Sequence, residues 1–306
     1  MSDKRRLFLI DGNSFCYRAF YAIRALSNSK GQPTNAIYGF ITMINKIIKD
    51  EKPGYLAIAF DLKGPTFRHK KFEQYKIHRK PMPEELVDQM PIIKDVVRAY
   101  NIPVFELQGY EADDILATLT KSAVAAGYEV YIVTGDKDML QLVGPNVKVY
   151  NVHKEGLIYD KDAVKERYGV PPEGIVDLIA LMGDASDNIP GVTGIGEVTA
   201  KKLMEDFGSL DKVIAGADKI KSEALRRKIT EHKEQALMSK DLATVDSEVP
   251  IDVDLEKLRL AEPDREKLYG IYSELEFRSL LKDYSAPGKQ IRSEEHTSEL
   301  QSHHPI

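Results

Sequence analysis

The sequence predicts an α/β protein with a mostly parallel central sheet flanked by helices, followed by a smaller helical region. Short apolar runs typical of buried parallel strands alternate with helical patterns up to about residue 133. From about residue 160 the pattern is helical only, with repeated Gly and Pro breaks. With 306 residues, 42% of them hydrophobic, the chain is long enough to form one large or two modest domains.

Four apolar runs bounded by Gly or charged residues are predicted strands, in the order 7–10, 56–60, 102–106 and 129–133. Helical patterns predict helices near 14–26, 36–50, 84–100 and 112–126. Residues 62–83 interrupt this alternation, because they are basic, aromatic and only lightly apolar. We expect them to leave the sheet edge as a loop or arch.

The chain divides into three predicted regions: 1–187 as a sheet-containing domain, 188–288 as a helical region, and 289–306 as a tail. The tail is polar, lacks a packing face and resembles the translation of a sequencing-adapter oligonucleotide. We therefore expect it to be disordered and non-native, and the natural C-terminus to be missing.

Composition limits the cellular location. The single cysteine, Cys16, excludes an intrachain disulfide and fits a reducing compartment. The basic N-terminus is followed by only four apolar residues, too few for a secretion signal, and no apolar run approaches the roughly 20 residues that span a bilayer. These observations predict a cytoplasmic protein without a membrane partner.

Acidic residues follow the predicted strands. Ligands in parallel sheets bind at the carboxyl ends of strands, so these side chains are expected to meet at one edge. With two further clusters they form a set of nine: Asp11, Asp61, Glu111, Asp113, Asp114, Asp136, Asp138, Asp184 and Asp187. So many like charges require a counter-charge, and all-oxygen ligands favour Mg²⁺ or Mn²⁺. Two such ions about 4 Å apart hydrolyse phosphodiesters.

Each motif also has a simpler interpretation. Residues 111–114 could cap a helix, since its dipole favours acids in the first turn. Residues 136–138 could form a turn, or begin a haloacid-dehalogenase motif, although Met139 stands where that motif has Thr or Val. Asp184 and Asp187 could be loop residues, or could face one way in a helical turn. The combination of clusters favours metal binding.

The net charge of −5 argues at first against a polyanionic partner. Setting the nine predicted ligands aside changes this balance to +4. Cations interleaved with aromatics in 62–83 suit single strands and frayed ends, although a solvated surface loop is the simpler interpretation. Predicted DNA contacts here are Arg68, Lys70, Lys71, Tyr75 and Lys76.

Closely spaced glycines at 191–196 open a predicted helix that runs to residue 207. No strand precedes them, which excludes a dinucleotide-binding loop. The pattern is that of a helix-hairpin-helix, which grips a DNA backbone without reading bases, and a plain tight turn is the alternative. The predicted contacts are Gly191, Gly194, Gly196, Lys201 and Lys202.

With these motifs the chain resembles the flap endonuclease superfamily, especially the 5′-nuclease regions of bacterial DNA polymerases of the polymerase I family. The resemblance covers about residues 5–285 and fills all nine acidic positions. It implies a PIN-like core, a helical arch over 62–100, and a helix-three-turn-helix at about 188–207. It also implies a potassium ion (K⁺) in the 191–196 turn.

The resemblance further implies a structure-specific 5′-3′ exonuclease and flap endonuclease that uses two Mg²⁺ ions, with Mn²⁺ as a substitute. Asp61, Glu111, Asp113 and Asp114 would hold one ion with Asp11 in support, and Asp136, Asp138, Asp184 and Asp187 the other. Arg18, Lys76 and Arg79 would offset charge on the scissile phosphate. Implied substrates are DNA with 5′ flaps, nicks or ends and RNA primers on DNA, and a polymerase region is implied to follow. The alternatives are a stand-alone nuclease, a non-catalytic DNA-structure binder and a PIN-type ribonuclease, the last leaving the 191–196 turn unexplained.

Overall fold

The computed structural model describes residues 5–151 and 157–284. The predicted tail at 289–306, and the last residues of the predicted 188–288 region, lie outside the described residues. None of the helices within the described ranges is long and apolar enough to cross a membrane.

A six-stranded sheet forms the centre of the first region. Its strands are β1 (Arg6–Asp11), β2 (Tyr55–Ala59), β3 (Val104–Phe105), β4 (Glu129–Thr134), β5 (Val147–Asn151) and β6 (Ile158–Tyr159). They are arranged in the order β3-β2-β1-β4-β5-β6, all parallel except the antiparallel β5–β6 pair. The chain therefore builds the sheet outward on one side of β1 and then on the other. The carboxyl ends of β1 and β4 lie at this switch point, where α/β proteins bind ligands.

All four predicted strands are confirmed, although β3 has two residues instead of five. Strands β5 and β6 were not predicted. In β5 buried Val147 and Val149 alternate with more exposed residues, so it lacks the continuous apolar run of the inner strands. Strand β6 is too short to produce a pattern.

Between residues 5 and 126, five helices surround this sheet: α1 (Gly12–Ala22), α2 (Asn35–Glu51), α3 (Phe67–Lys71), α4 (Glu84–Ala99) and α5 (Ala112–Ala125). Because successive side chains of a strand point to opposite sides, the sheet has two faces, and both are buried. Phe8 and Ile10 of β1 pack in the cluster that includes residues of α1, α2 and α4, whereas Leu7 and Leu9 pack in the cluster that includes α5. The doubly covered sheet of the predicted fold class is therefore observed.

The predicted arch at 62–100 is only partly separate from the core. Helix α4 buries Leu86, Ile93 and Val97 in the cluster beneath α1 and α2. It is a packed part of the domain, so an excursion from the sheet is confined to residues before it. That stretch contains α3 and a series of turns.

The remaining helices are α6 (Lys161–Tyr168), α7 (Ile175–Met182), α8 (Glu197–Phe207), α9 (Leu210–Ala215), α10 (Glu223–Glu231), α11 (Lys233–Ala243), α12 (Arg265–Glu274) and α13 (Arg278–Tyr284). Helix α7 packs against both α8 and α11. The predicted helix-three-turn-helix corresponds to α7, the connection 183–196 and α8, so it begins earlier than residue 188. Helix α12 returns to the sheet, burying Leu268 and Tyr272 beside α4.

Candidate metal and nucleic-acid site

A solvent-open cavity of about 650 Å³ lies at the switch point of the sheet. Five predicted acids line it: Asp11, Asp61, Glu111, Asp113 and Asp136. Further lining side chains include Asn13, Ser14, Tyr17, Lys76, Arg79, Lys80, Lys137, Tyr168 and Ser186. The cavity, named here the acid cavity, therefore gathers carboxylates that are up to 125 positions apart in the sequence.

Local structure holds these acids in place. Asp11 ends β1 and caps α1, accepting hydrogen bonds from the Ser14 backbone N–H at 2.9 Å and the Thr134 hydroxyl at 2.8 Å. Asp61 accepts one from the backbone N–H of Ala112, the first residue of α5, at 2.7 Å. The helix N-termini thus position two carboxylates as well as being capped by them.

The carboxylates raise one another's pKa values. Burial, together with the nearby charges of Asp61 and Asp136, raises the pKa of Asp11 to about 6. Burial and neighbouring carboxylates hold the pKa values of Asp113 and Asp138 well above the usual range. The pKa of Asp136 is also raised, first by burial and then by Asp187. Mutual repulsion of this kind is expected in a site that binds a cation.

Two lysines supply part of that positive charge. The Lys76 ammonium lies 3.1 Å from Glu111 and 3.4 Å from Asp187, and Lys137 lies 2.5 Å from Asp184. Although burial opposes it, Lys137 and the Ser186 hydroxyl lower the pKa of Asp184. Lys137 is not among the predicted site residues, although a cation between two predicted ligands in the sequence is a visible signal.

Lys76 has an unusual backbone conformation. Its φ is +56°, a region that costs energy for a residue with a side chain. Its N–H donates to the Asp187 carbonyl at 2.9 Å, which ties this segment to the 183–196 connection. The strained backbone therefore places the ammonium between Glu111 and Asp187.

The donors present fit divalent metal ions. Within the described ranges, no three acidic, His or Cys side chains are already arranged to enclose one ion, and lysines pair with three of the predicted ligands, Glu111, Asp184 and Asp187. However, Asp138 Oδ1 is buried without a hydrogen-bond partner there. An orphaned buried oxygen beside repelling carboxylates is a place for a cation. The all-oxygen donor set favours Mg²⁺ or Mn²⁺.

Asp114 is not part of this donor set, so its predicted role as a metal ligand needs correction. It is fully buried, and its oxygens accept from Arg68 at 2.7 and 2.8 Å, from the Asp246 N–H and from the Glu111 N–H. The last contact is half of a capping box on α5. Helix capping, the simpler interpretation of this motif, therefore describes Asp114.

Two predicted DNA contacts in the basic segment 62–83 are also buried. Arg68 is 2% exposed, and besides Asp114 it donates to the carbonyls of Leu242 and Thr244. Tyr75 is 3% exposed, and its hydroxyl donates to Glu111 at 3.1 Å. Neither side chain can stack on a base or reach a phosphate, so both act inside the protein.

The structure does not bring Arg18 to the acid cavity. Arg18 lines a separate small cleft with Phe15, Met43 and Tyr150. Its neighbour Tyr17 lines the acid cavity instead, because adjacent residues on a helix point about 100° apart. Arg79 does line the acid cavity.

Asp184 and Asp187 do not lie in a helical turn. A bridge between Asp184 and Ile189 closes the segment into a non-helical turn. The two carboxylates consequently face different partners, Lys137 for Asp184 and Lys76 for Asp187.

The glycine turn combines a buried and an exposed part. Gly191 is buried with φ +61°, and a Cβ there would come within 2.2 Å of the Gly183 nitrogen. It therefore serves close packing, not phosphate contact. Gly194 and Gly196 are exposed, and so is Lys202 on α8, whereas Lys201 is half-buried beside Glu197.

Carbonyl oxygens of this turn already have partners. Gly191 O accepts from the Gln235 amide at 2.6 Å, Val192 O from the Ile195 N–H at 3.0 Å, and Gly194 O from the Lys228 ammonium at 2.8 Å. A K⁺ ion at these three oxygens would have to share each of them with a hydrogen-bond donor, and Gly194 O with a charged ammonium. These three oxygens, as the turn is folded, therefore do not fit the implied potassium ion.

Comparison with known proteins agrees with this architecture. Residues 6–169 match the family model of the 5′-3′ exonuclease N-terminal resolvase-like domain, and residues 170–266 match that of the 5′-3′ exonuclease C-terminal SAM fold. The chain belongs to the 5′-3′ exonuclease family. The predicted resemblance and fold class are thereby confirmed.

Among relatives of this chain are DNA polymerase I of Bacillus caldotenax, 46% identical over 94% of the chain, and DNA polymerase I of Bacillus subtilis (strain 168), 44% identical over 96%. The chain spans about a third of the length of these relatives, 33% and 34%.

Two solved structures share the fold. One, described as divalent zinc ions bound to T5 5′-exonuclease, has a TM-score of 0.67 and 20% identity, covering 92% of this chain and 98% of its own. The other, the catalytic core of Rad2 in complex with DNA substrate, has a TM-score of 0.61 and 18% identity, covering 92% and 93%.

Proposed function

We propose that this chain is a structure-specific 5′-3′ exonuclease and 5′-flap endonuclease that hydrolyses DNA phosphodiesters with Mg²⁺, for which Mn²⁺ can substitute. The observation that carries the proposal is the acid cavity at the switch point of the sheet, where Asp11, Asp113 and Asp136 repel one another beside Lys76 and Arg79. This arrangement joins a divalent-cation donor set to fixed cations that suit a phosphate.

Eight of the nine predicted acids remain proposed metal ligands or their supports, since Asp114 is occupied by Arg68. They are Asp11, Asp61, Glu111, Asp113, Asp136, Asp138, Asp184 and Asp187. When bound, two Mg²⁺ ions would supply an activated water and stabilise the leaving oxygen. Asp11 would act mainly as a support, because both of its oxygens already accept hydrogen bonds.

The chain's own cations would bind the scissile phosphate. Lys76 and Arg79 both line the acid cavity, so a phosphate there lies within their reach. Ion pairs with Glu111 and Asp187 hold the Lys76 ammonium in place before substrate arrives. A cation fixed in advance stabilises developing charge without reorganising, which is the main electrostatic contribution to such reactions.

The exposed part of the glycine turn would grip the duplex. Backbone N–H groups near Gly194 and Gly196, at the start of α8, can bind a phosphate, and Lys202 lies on the same helix. Lys70 is exposed on α3, and Lys71 is exposed although paired with Asp241. These groups would contact the DNA backbone and would not distinguish one base sequence from another.

The proposal extends to substrates and setting. We propose DNA with 5′ flaps, nicks or ends, and RNA primers on DNA, as substrates, with roles in primer removal and repair. Relatives named DNA polymerase I support a polymerase region attached to this chain in its natural protein. We also propose a cytoplasmic location, consistent with the buried free thiol of Cys16.

Cleavage of a 5′-labelled flap in Mg²⁺ and in EDTA tests the proposal. The parent should cleave near the junction in Mg²⁺ and leave the flap intact in EDTA. The matched control is Asp241→Asn, which removes an exposed carboxylate outside the cavity and should leave cleavage unchanged. Binding without cleavage in Mg²⁺ and Mn²⁺ would instead show a non-catalytic DNA-structure binder.

A further inference from the structure

The glycine turn carries a cation of its own. We propose that the Lys228 ammonium occupies the place of a monovalent ion in the turn and presents its charge to a DNA phosphate there. Duplex binding by this chain would then be independent of K⁺. The inference rests on the proposed function, because it concerns the same DNA-binding turn.

The geometry of Lys228 carries the proposal. Its Nζ lies 2.8 Å from the Gly194 carbonyl, at the exposed part of the turn. Lys228 is half-buried on α10, and the next residue, Ile229, is 1% exposed and anchors that helix in the core. The ammonium is therefore delivered by a packed helix 34 residues further along the chain.

Two other carbonyl oxygens of the turn already accept hydrogen bonds. Gln235 on α11 donates to Gly191 O, and the Ile195 N–H donates to Val192 O. A K⁺ ion at this place would have to share Gly194 O with an ammonium, and the two like charges would repel each other. The lysine supplies the positive charge that the ion would supply. Its ammonium has three N–H donors and uses one on Gly194, so two remain for a phosphate.

The residue type at position 194 agrees with this assignment. Gly194 has a φ of +77°, and a Cβ there would come within 2.6 Å of the Lys228 Nζ. Any side chain at this position would thus displace the ammonium or strain the turn. Glycine both permits the turn and keeps the place of the ammonium open.

The experiment measures affinity for a 5′-flap duplex in Ca²⁺, at equal ionic strength in KCl, NaCl and LiCl. The flap affinity of the parent should differ by less than about twofold among the three salts, because a covalently attached cation needs no exchangeable ion. In LiCl, Lys228→Met should bind the flap about tenfold more weakly than the parent does, as expected for one lost charged contact. It should recover part of this loss in KCl, where K⁺ can enter the vacated place.

The matched control is Arg227→Met, which removes the neighbouring exposed cation on α10. It should reduce affinity equally in all three salts. Parent binding that is tighter by about fivefold or more in KCl than in LiCl would overturn the inference, as would a folded Lys228→Met that behaves like Arg227→Met. Absence of flap binding by the parent in every salt would overturn the proposed function and the inference with it.

Discussion

The guanidinium of Arg68 binds both carboxylate oxygens of Asp114, at 2.8 and 2.7 Å, in the interior of the protein. Arg68 also donates to the carbonyls of Leu242 and Thr244 at the end of α11. This pair therefore joins three segments: the start of α3, the start of α5 and the end of α11. The role of the pair is to hold together the fold around the acid cavity.

Removing one partner of this pair should destabilise the fold. We expect Asp114→Ala to lower the free energy of unfolding by about 3–5 kcal/mol, because it leaves the buried Arg68 charge uncompensated. Urea unfolding measures the change. Asp241→Ala, which breaks the exposed pair with Lys71, is the control and should cost less than about 1 kcal/mol. A stable Asp114→Ala that has lost Mg²⁺ binding would restore Asp114 to the metal site.

Neutralising one repelling acid should have the opposite effect on stability. Burial and neighbouring carboxylates raise the pKa of Asp113, so its charge is unfavourable in the metal-free fold. Asp113→Asn should therefore raise Tm in EDTA and reduce the further rise that Mg²⁺ gives the parent. Thermal unfolding in both media measures this. A variant with a lower Tm than the parent in EDTA and an unchanged Mg²⁺ response would contradict it.

Lys76 should contribute to the chemical step more than to binding. The ammonium is held beside Glu111 and Asp187 inside the acid cavity, where charge develops on the phosphate. Lys76→Ala should slow single-turnover cleavage about 100-fold or more, with flap affinity changed by less than about threefold. Lys70→Ala, which removes an exposed proposed DNA contact, is the control and should lower flap affinity in a salt-dependent way without slowing single-turnover cleavage. If Lys76→Ala changed affinity alone, and added salt reproduced the effect, Lys76 would be a phosphate clamp.

Two glycines of the turn should respond differently to substitution. Gly191→Ala places a Cβ 2.2 Å from the Gly183 nitrogen at a positive φ, so we expect a loss of about 3 kcal/mol or more in unfolding free energy. Gly196 has a φ of −99° and open space for a Cβ. Gly196→Ala should therefore unfold within about 1 kcal/mol of the parent. Equal stability of the two variants in urea would show that the 183–191 contact is not close-packed.

The sequence predicts the strands of the inner sheet because burial on both faces leaves continuous apolar runs, as in β1 and β4. It cannot tell Asp113 from Asp114, since neighbouring helix residues face different directions and only the fold defines which side is the cavity. Arg68 illustrates the same limit: its partner lies 46 residues away, so a basic segment concealed a buried ion pair. The same limit applies to Tyr17 and Arg18 on α1, because the sequence does not show which of the two faces the acid cavity.

The acid cavity is proposed to hold the metal ions that cleave DNA, and the other functional assignments depend on this one. It is tested by single-turnover cleavage of a 5′-flap substrate in Mg²⁺, with flap binding in Ca²⁺ measured alongside, for the parent, Asp113→Ala and Asp136→Ala. We predict that both variants lose cleavage by about 1,000-fold or more and keep flap affinity within about threefold, because the DNA grip lies outside the cavity. Cleavage within tenfold of the parent in both variants would contradict the assignment of the cavity as the catalytic centre.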